Sequence, residues 1–86
     1  VKDKVVIVTG GAMGIGKADV ELLAADGAKV ILVDIDDAGE TVAARLDNVE
    51  FHRMDVSQEA AWDNLIKQVM KKYGRLDGLV NNAGIL

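Results

Sequence analysis

Two unbroken apolar runs, Val5-Val6-Ile7-Val8 and Val30-Ile31-Leu32-Val33, set the pattern of this chain. Continuous apolar runs of this length mark strands buried on both faces. They predict a first strand at about Lys4 to Thr9 and a second from Lys29 to Asp34. The segment between them predicts a helix from Gly14 to Asp26, with Gly27 as a left-handed stop. A second helix is expected to begin near Asp36 or Asp37, either of which can cap it, and to run to about Leu46. From Val49 to Met54 the pattern alternates, Val49 and Phe51 against Glu50 and His52, as in a less buried strand near a sheet edge. Trp62, Leu65, Ile66, Val69, Met70 and Tyr73 then recur at helical spacing and form one apolar stripe. That third helix starts after Ser57, a good capping residue. Lys71 and Lys72 complement its C-terminal dipole and Gly74 ends it. A fourth strand is predicted at about Asp77 to Asn81.

Apolar strands that alternate with helices predict an α/β fold, a parallel sheet covered on both faces. Right-handed crossovers then favour the order 3-2-1-4, with the first two helices on one face and the third on the other. In such sheets a ligand binds at the C-terminal strand ends, where the order reverses. Here the reversal lies between strands one and four, so the ends at Thr9 and Asn81 meet at the expected ligand position. No repeat, linker or low-complexity segment interrupts residues 1–86, which read as one unit.

Composition narrows the possibilities. Half of the residues are hydrophobic, which argues against disorder. A small chain of 86 residues buries only about two-thirds of its unfolded surface, so its stability margin is thin. The formal net charge is −4 with no basic stretch, which argues against a nucleic-acid partner. Cysteine is absent, so there is neither a disulfide framework nor a thiolate metal site. No apolar run exceeds five residues, far short of a membrane span, and Val1-Lys2-Asp3-Lys4 lacks a signal-peptide profile. A cytoplasmic location is the expectation.

The chemistry concentrates at the predicted C-terminal strand ends. Thr9-Gly10-Gly11-Ala12-Met13-Gly14-Ile15-Gly16 follows the first strand and opens the first helix. Such a turn presents backbone N–H groups at a helix N-terminus, and glycines let a pyrophosphate approach the main chain. Glycines also serve strand-to-helix turns that hold no ligand, so the turn alone leaves both readings open. The spacing is T-G-x-x-x-G-x-G. It is not G-x-G-x-x-G, because Asp19 occupies the third glycine position, nor T-G-x-x-G-x-x-G, because Met13 occupies the middle one.

Asp34 ends the second strand. A carboxylate there can accept both hydrogen bonds of an adenosine ribose diol. A 2′-phosphate would meet Asp34 at close range, with Asp36 and Asp37 nearby and no arginine or lysine to offset them. NAD is therefore expected over NADP. Asp36 and Asp37 read as helix caps. Asp55 is placed to accept from an adenine amino group, with Val56 giving backbone contacts and apolar cover. Without the other motifs, Asp55 would read as the residue that starts the turn before Ser57. Asn81-Asn82-Ala83-Gly84 follows the fourth strand. Asparagines there can tie neighbouring strand ends together, and small residues admit a cofactor ribose.

These four signals, in this order and spacing, resemble the N-terminal half of a short-chain dehydrogenase/reductase of the compact, non-extended branch. The resemblance covers essentially the whole chain. It implies a partial Rossmann-type domain that binds NAD(H). By that resemblance Thr9, Gly10, Gly14, Ile15 and Gly16 bind the pyrophosphate and nicotinamide ribose or shape their turn. Asp34 selects NAD, Asp55 and Val56 hold adenine, and Asn81, Ala83 and Gly84 line the ribose side and secure the sheet.

The family's catalytic serine and Y-x-x-x-K tyrosine and lysine have no counterpart here. Tyr73, the one tyrosine, is followed four residues later by Asp77 and lies on the apolar stripe as a packing residue. Ser57 reads as a cap, His52 as a solitary surface histidine, and Lys17 has no reason to be catalytic. The expectation is a dinucleotide-binding chain that does not turn over substrate by itself and holds no metal. A fourth strand with a bare edge, and a face covered by one helix, predict pairing into a homo-oligomer, or a loosely packed monomer. Two other readings stand beside it: a stand-alone or engineered minimal binding module, and a self-assembling unit without useful cofactor affinity.

Overall fold

The computed structural model describes residues 2–10 and 14–81. Four strands, β1 (Val5–Thr9), β2 (Lys29–Asp34), β3 (Val49–Arg53) and β4 (Gly78–Asn81), alternate with three helices, α1 (Gly14–Ala25), α2 (Ala38–Ala44) and α3 (Glu59–Tyr73). The sheet is parallel in the order β3-β2-β1-β4. This is the parallel α/β arrangement that the alternation of runs predicts, and the partial Rossmann-type sheet that the resemblance implies.

The strands sort as their patterns require. All of β1 is buried, and so are Val30 to Val33 of β2, because both strands lie in the middle of the sheet. Their side chains divide between two cores. Val6, Val8, Val30 and Leu32 pack with Val20 and Ala24 of α1 and Val42 of α2. Val5, Ile7, Ile31 and Val33 pack on the other face with Leu65 and Val69 of α3. β3 is half-buried, as expected of an edge strand, and Val49 and Phe51 join the first core. On the opposite edge Leu79 of β4 lies over half exposed, at 55%, on the α3 face.

Turn chemistry follows the sequence at some positions and departs from it at others. Gly74 stops α3 in the left-handed conformation, φ 73°, and donates its N–H to the Met70 carbonyl at 2.8 Å. The second helix is shorter than expected and starts at Ala38. Asp37 is its N-cap residue without a side-chain capping bond, and Asp36 Oδ1 instead accepts the Ala38 N–H at 2.9 Å. Ser57 does not cap α3. Gln58 holds that position in extended conformation, and Ser57 donates both its N–H and its hydroxyl to Asp55. Asp77 lies just before β4, not in it, yet holds β1 from both sides. Its N–H donates to the Val5 carbonyl at 2.8 Å, and its carboxylate accepts the Val5 N–H at 2.8 Å.

No helix among the described residues is long and apolar enough to cross a membrane.

Candidate functional site

Thr9 is fully buried at the C-terminal end of β1. Its register partner on β4 is Asn81, and the Thr9 hydroxyl donates to Asn81 Oδ1 at 2.9 Å. The two strands that flank the reversal of strand order are thus tied at their C-terminal ends. Gly10 turns the chain next, with φ 67°, a conformation glycine enters without steric cost. Its N–H donates to the Val33 carbonyl at 2.8 Å, which closes the end of β1 onto β2. Gly14, Ile15 and Gly16 form the first turn of α1. Ala83 and Gly84 lie outside the described residues.

Asp34 stands half-buried at the end of β2, the strand next to β1. Its Oδ1 accepts the Asp36 N–H at 3.0 Å, which folds the β2–α2 loop around the carboxylate. Asp55 follows β3. One of its oxygens, Oδ1, accepts the Ser57 hydroxyl at 2.7 Å and the Ser57 N–H at 2.9 Å. Those two bonds, the hydroxyl first, hold its carboxyl below the usual range. Val56 packs on the α3-side core, and its carbonyl accepts the Trp62 indole N–H at 2.8 Å. Of the backbone contacts expected from Val56, the carbonyl is therefore committed within the protein. The described candidate residues lie at the C-terminal ends of the strands, with Thr9 and Asn81 joined across β1 and β4 and Asp34 and Asp55 along the β2–β3 side.

Two findings correct the sequence reading. Arg53 sits in register beside Asp34, its Nε donates to the Ile35 carbonyl at 3.2 Å, and the same nitrogen lies 3.6 Å from Asp37. The acidic loop after β2 therefore has a cationic neighbour. It comes from the adjacent strand, placed beside Asp34 by the parallel register and not by nearness in sequence. His52 is not solitary either, for its Nε2 lies 3.0 Å from Glu50 Oε2.

Glu50 is a structural hub on β3. Its Oε1 accepts from the Tyr73 hydroxyl and from Lys72 Nζ, the latter at 3.2 Å, while Oε2 faces His52. Burial pushes its carboxyl up, but the bonds from Tyr73, His52 and Lys72 outweigh that and hold it below its ordinary value. Tyr73 is raised in turn by burial and by Glu50. Its hydroxyl is thereby committed to fastening α3 against β3. Among the described residues, no group of three or more histidines, cysteines and carboxylates is placed to hold a metal ion.

The sequence pattern of the short chain dehydrogenase family matches residues 4–86. Among curated relatives, 3-beta-hydroxysteroid dehydrogenase of Comamonas testosteroni is 49% identical over 85 residues, covering 96% of this chain and 34% of that protein. Short-chain dehydrogenase reductase 3b of Arabidopsis thaliana is 42% identical over 86 residues, with 96% and 34% covered. Among solved structures, a short chain dehydrogenase from Bacillus anthracis str. 'Ames Ancestor' superposes with a TM-score of 0.90 at 33% identity, over 95% of this chain and 35% of that one. A 3-ketoacyl-(acyl-carrier-protein) reductase from Brucella melitensis, complexed with NADH, gives 0.88 at 41% identity, over 98% and 36%. The chain spans about a third of the length of the relatives it matches.

Proposed function

The chain belongs to the short-chain dehydrogenase family, and from that premise we propose that residues 1–86 form a single dinucleotide-binding unit for an NAD-dependent alcohol or carbonyl oxidoreductase. The observation that carries this reading is the joined end of β1 and β4, where Thr9 donates to Asn81 beside the glycine turn, with Asp34 at the end of the next strand. The donor set fits a dinucleotide. Backbone N–H groups at the start of α1 suit a pyrophosphate. Asp34 suits a ribose diol, and the exposed Asp55 suits an adenine amino group. Gly14, Ile15, Gly16, Val56, Asn81, Ala83 and Gly84 complete the proposed contacts. When bound, the nicotinamide supplies the hydride-transfer chemistry.

The chain's own residues bind and orient. Thr9 and Asn81 tie the two strand ends together, and the Gly10 N–H fastens the end of β1 to β2. The tyrosine, lysine and serine of the family's proton transfer have no match in the 86 residues, so we propose that the chain alone does not turn over substrate. The chain is proposed to be cytoplasmic, to bind neither nucleic acid nor membrane, and to self-associate through the β4 edge and the exposed Leu79 face. A stand-alone binding module is the alternative reading.

Calorimetric titration with NAD, repeated on Asp34→Ala, tests the assignment. Saturable NAD binding that weakens by about tenfold to a hundredfold in the variant is expected, since a hydrogen bond to a charged group contributes about 1.5–3 kcal/mol. Equal affinities for the two proteins would remove Asp34 from the site.

A further inference from the structure

We infer that Arg53 is a specificity-determining residue that receives a 2′-phosphate, so that Asp34 biases the site toward NAD without closing it to NADP. The inference rests on the dinucleotide reading of the same site. Parallel register places Asp34 and Arg53 side by side at the ends of β2 and β3. Side chains of register partners leave the sheet on one face. Arg53 accordingly bends toward the β2–α2 loop, where its Nε donates to the Ile35 carbonyl at 3.2 Å and stands 3.6 Å from Asp37. That bond uses the inner nitrogen and orients the guanidinium. Among the described residues, neither terminal nitrogen makes a hydrogen bond, and the side chain is 65% exposed. The result is an anchored, largely exposed guanidinium on the residue in register with the proposed ribose carboxylate. A planar fork of this kind matches two phosphate oxygens at once, which a lysine cannot do.

The charges around a 2′-phosphate then oppose each other. Asp34, Asp36 and Asp37 repel it and Arg53 attracts it. NAD carries no charge at that position, so its affinity does not depend on Arg53. The inference thus separates the two cofactors at a single residue, whereas a loop-strapping role for Arg53 would affect both alike.

The test titrates the full 86-residue chain with NAD and with NADP, for the wild type, Arg53→Ala, Arg53→Lys and Asp34→Ala. Thermal melts of each protein establish that it is folded. Arg53→Ala is expected to weaken NADP about fivefold and to leave NAD within about twofold, as for one exposed charge contact. Arg53→Lys should recover only part of the loss. In Asp34→Ala, NADP should tighten, and adding Arg53→Ala should remove that gain. An unchanged NADP-to-NAD ratio in Arg53→Ala, with normal NAD binding, overturns the role of Arg53 alone. An equal fall for both cofactors also overturns it, in favour of a structural strap. If the folded wild type binds neither dinucleotide, the binding-site reading and this inference fall together.

Discussion

Asp77 shows how one residue can join two parts of a fold. Arg75 and the Val5 N–H hold its carboxyl at about 2, against an ordinary value of 3.8. A depressed carboxyl stabilises the folded state above its unfolded value and loses that contribution as pH falls through the folded one. Stability should therefore decline between about pH 4 and pH 2, and Asp77→Asn should flatten that part of the profile; an unaltered profile in the variant would assign the decline to other carboxyls. Residue chemistry was only partly legible in the sequence. The Thr9–Asn81 bond was foreseeable, because both residues end adjacent strands in any 3-2-1-4 sheet. The place of Arg53 was not, since it depends on a register partner in another strand, whereas the Glu50–His52 contact was implicit in the alternation that puts both on one face. Ser57 misled for a related reason. Its hydroxyl could accept a helix N–H or donate to a carboxylate, and Asp55 lies two residues away in a tight turn.

At the scale of elements, periodicity carried most of the information. The two buried strands, the edge strand and the α3 stripe all follow from spacing, because burial on two faces, one face or one stripe leaves a different period. Boundaries were less legible where polar side chains had competing partners. The start of α2 is an example, with Asp36 and Asp37 both able to cap and only Asp36 bonding the Ala38 N–H. The packing of α2 on β3 also escapes sequence reasoning. Gly39 is buried against Phe51, and a Cβ placed there would stand 2.3 Å from the ring. Phe51 is partly buried and packs against the first core beside α2, so the ring or the helix must shift to admit the methyl. Gly39→Ala should destabilise the protein by about 1–3 kcal/mol in urea unfolding, the usual cost of overpacking, despite the better helix propensity of alanine. A midpoint equal to or above that of the wild type would show that α2 is free to shift away from β3.

For the whole molecule, the asymmetry of the two faces matters most. Two helices cover one face and α3 covers the other, where Leu79 stays 55% exposed and Ile66 and Met70 of α3 are 40% and 45% exposed. An edge strand beside exposed apolar side chains favours association with another copy. Light scattering should report a mass above that of the 9.1 kDa monomer, and Leu79→Lys should shift it toward the monomer. A compact, sharply melting wild-type monomer would contradict the association. The central claim is the location of the dinucleotide, and amide mapping by nuclear magnetic resonance addresses it most directly. On addition of NAD, perturbations should gather at Gly10, Gly14, Gly16, Asp34, Asp55 and Asn81, at the C-terminal edge of the sheet. Perturbations confined to Lys29, Asn48 and Glu50 at the opposite edge, or none at saturating NAD, would contradict the account.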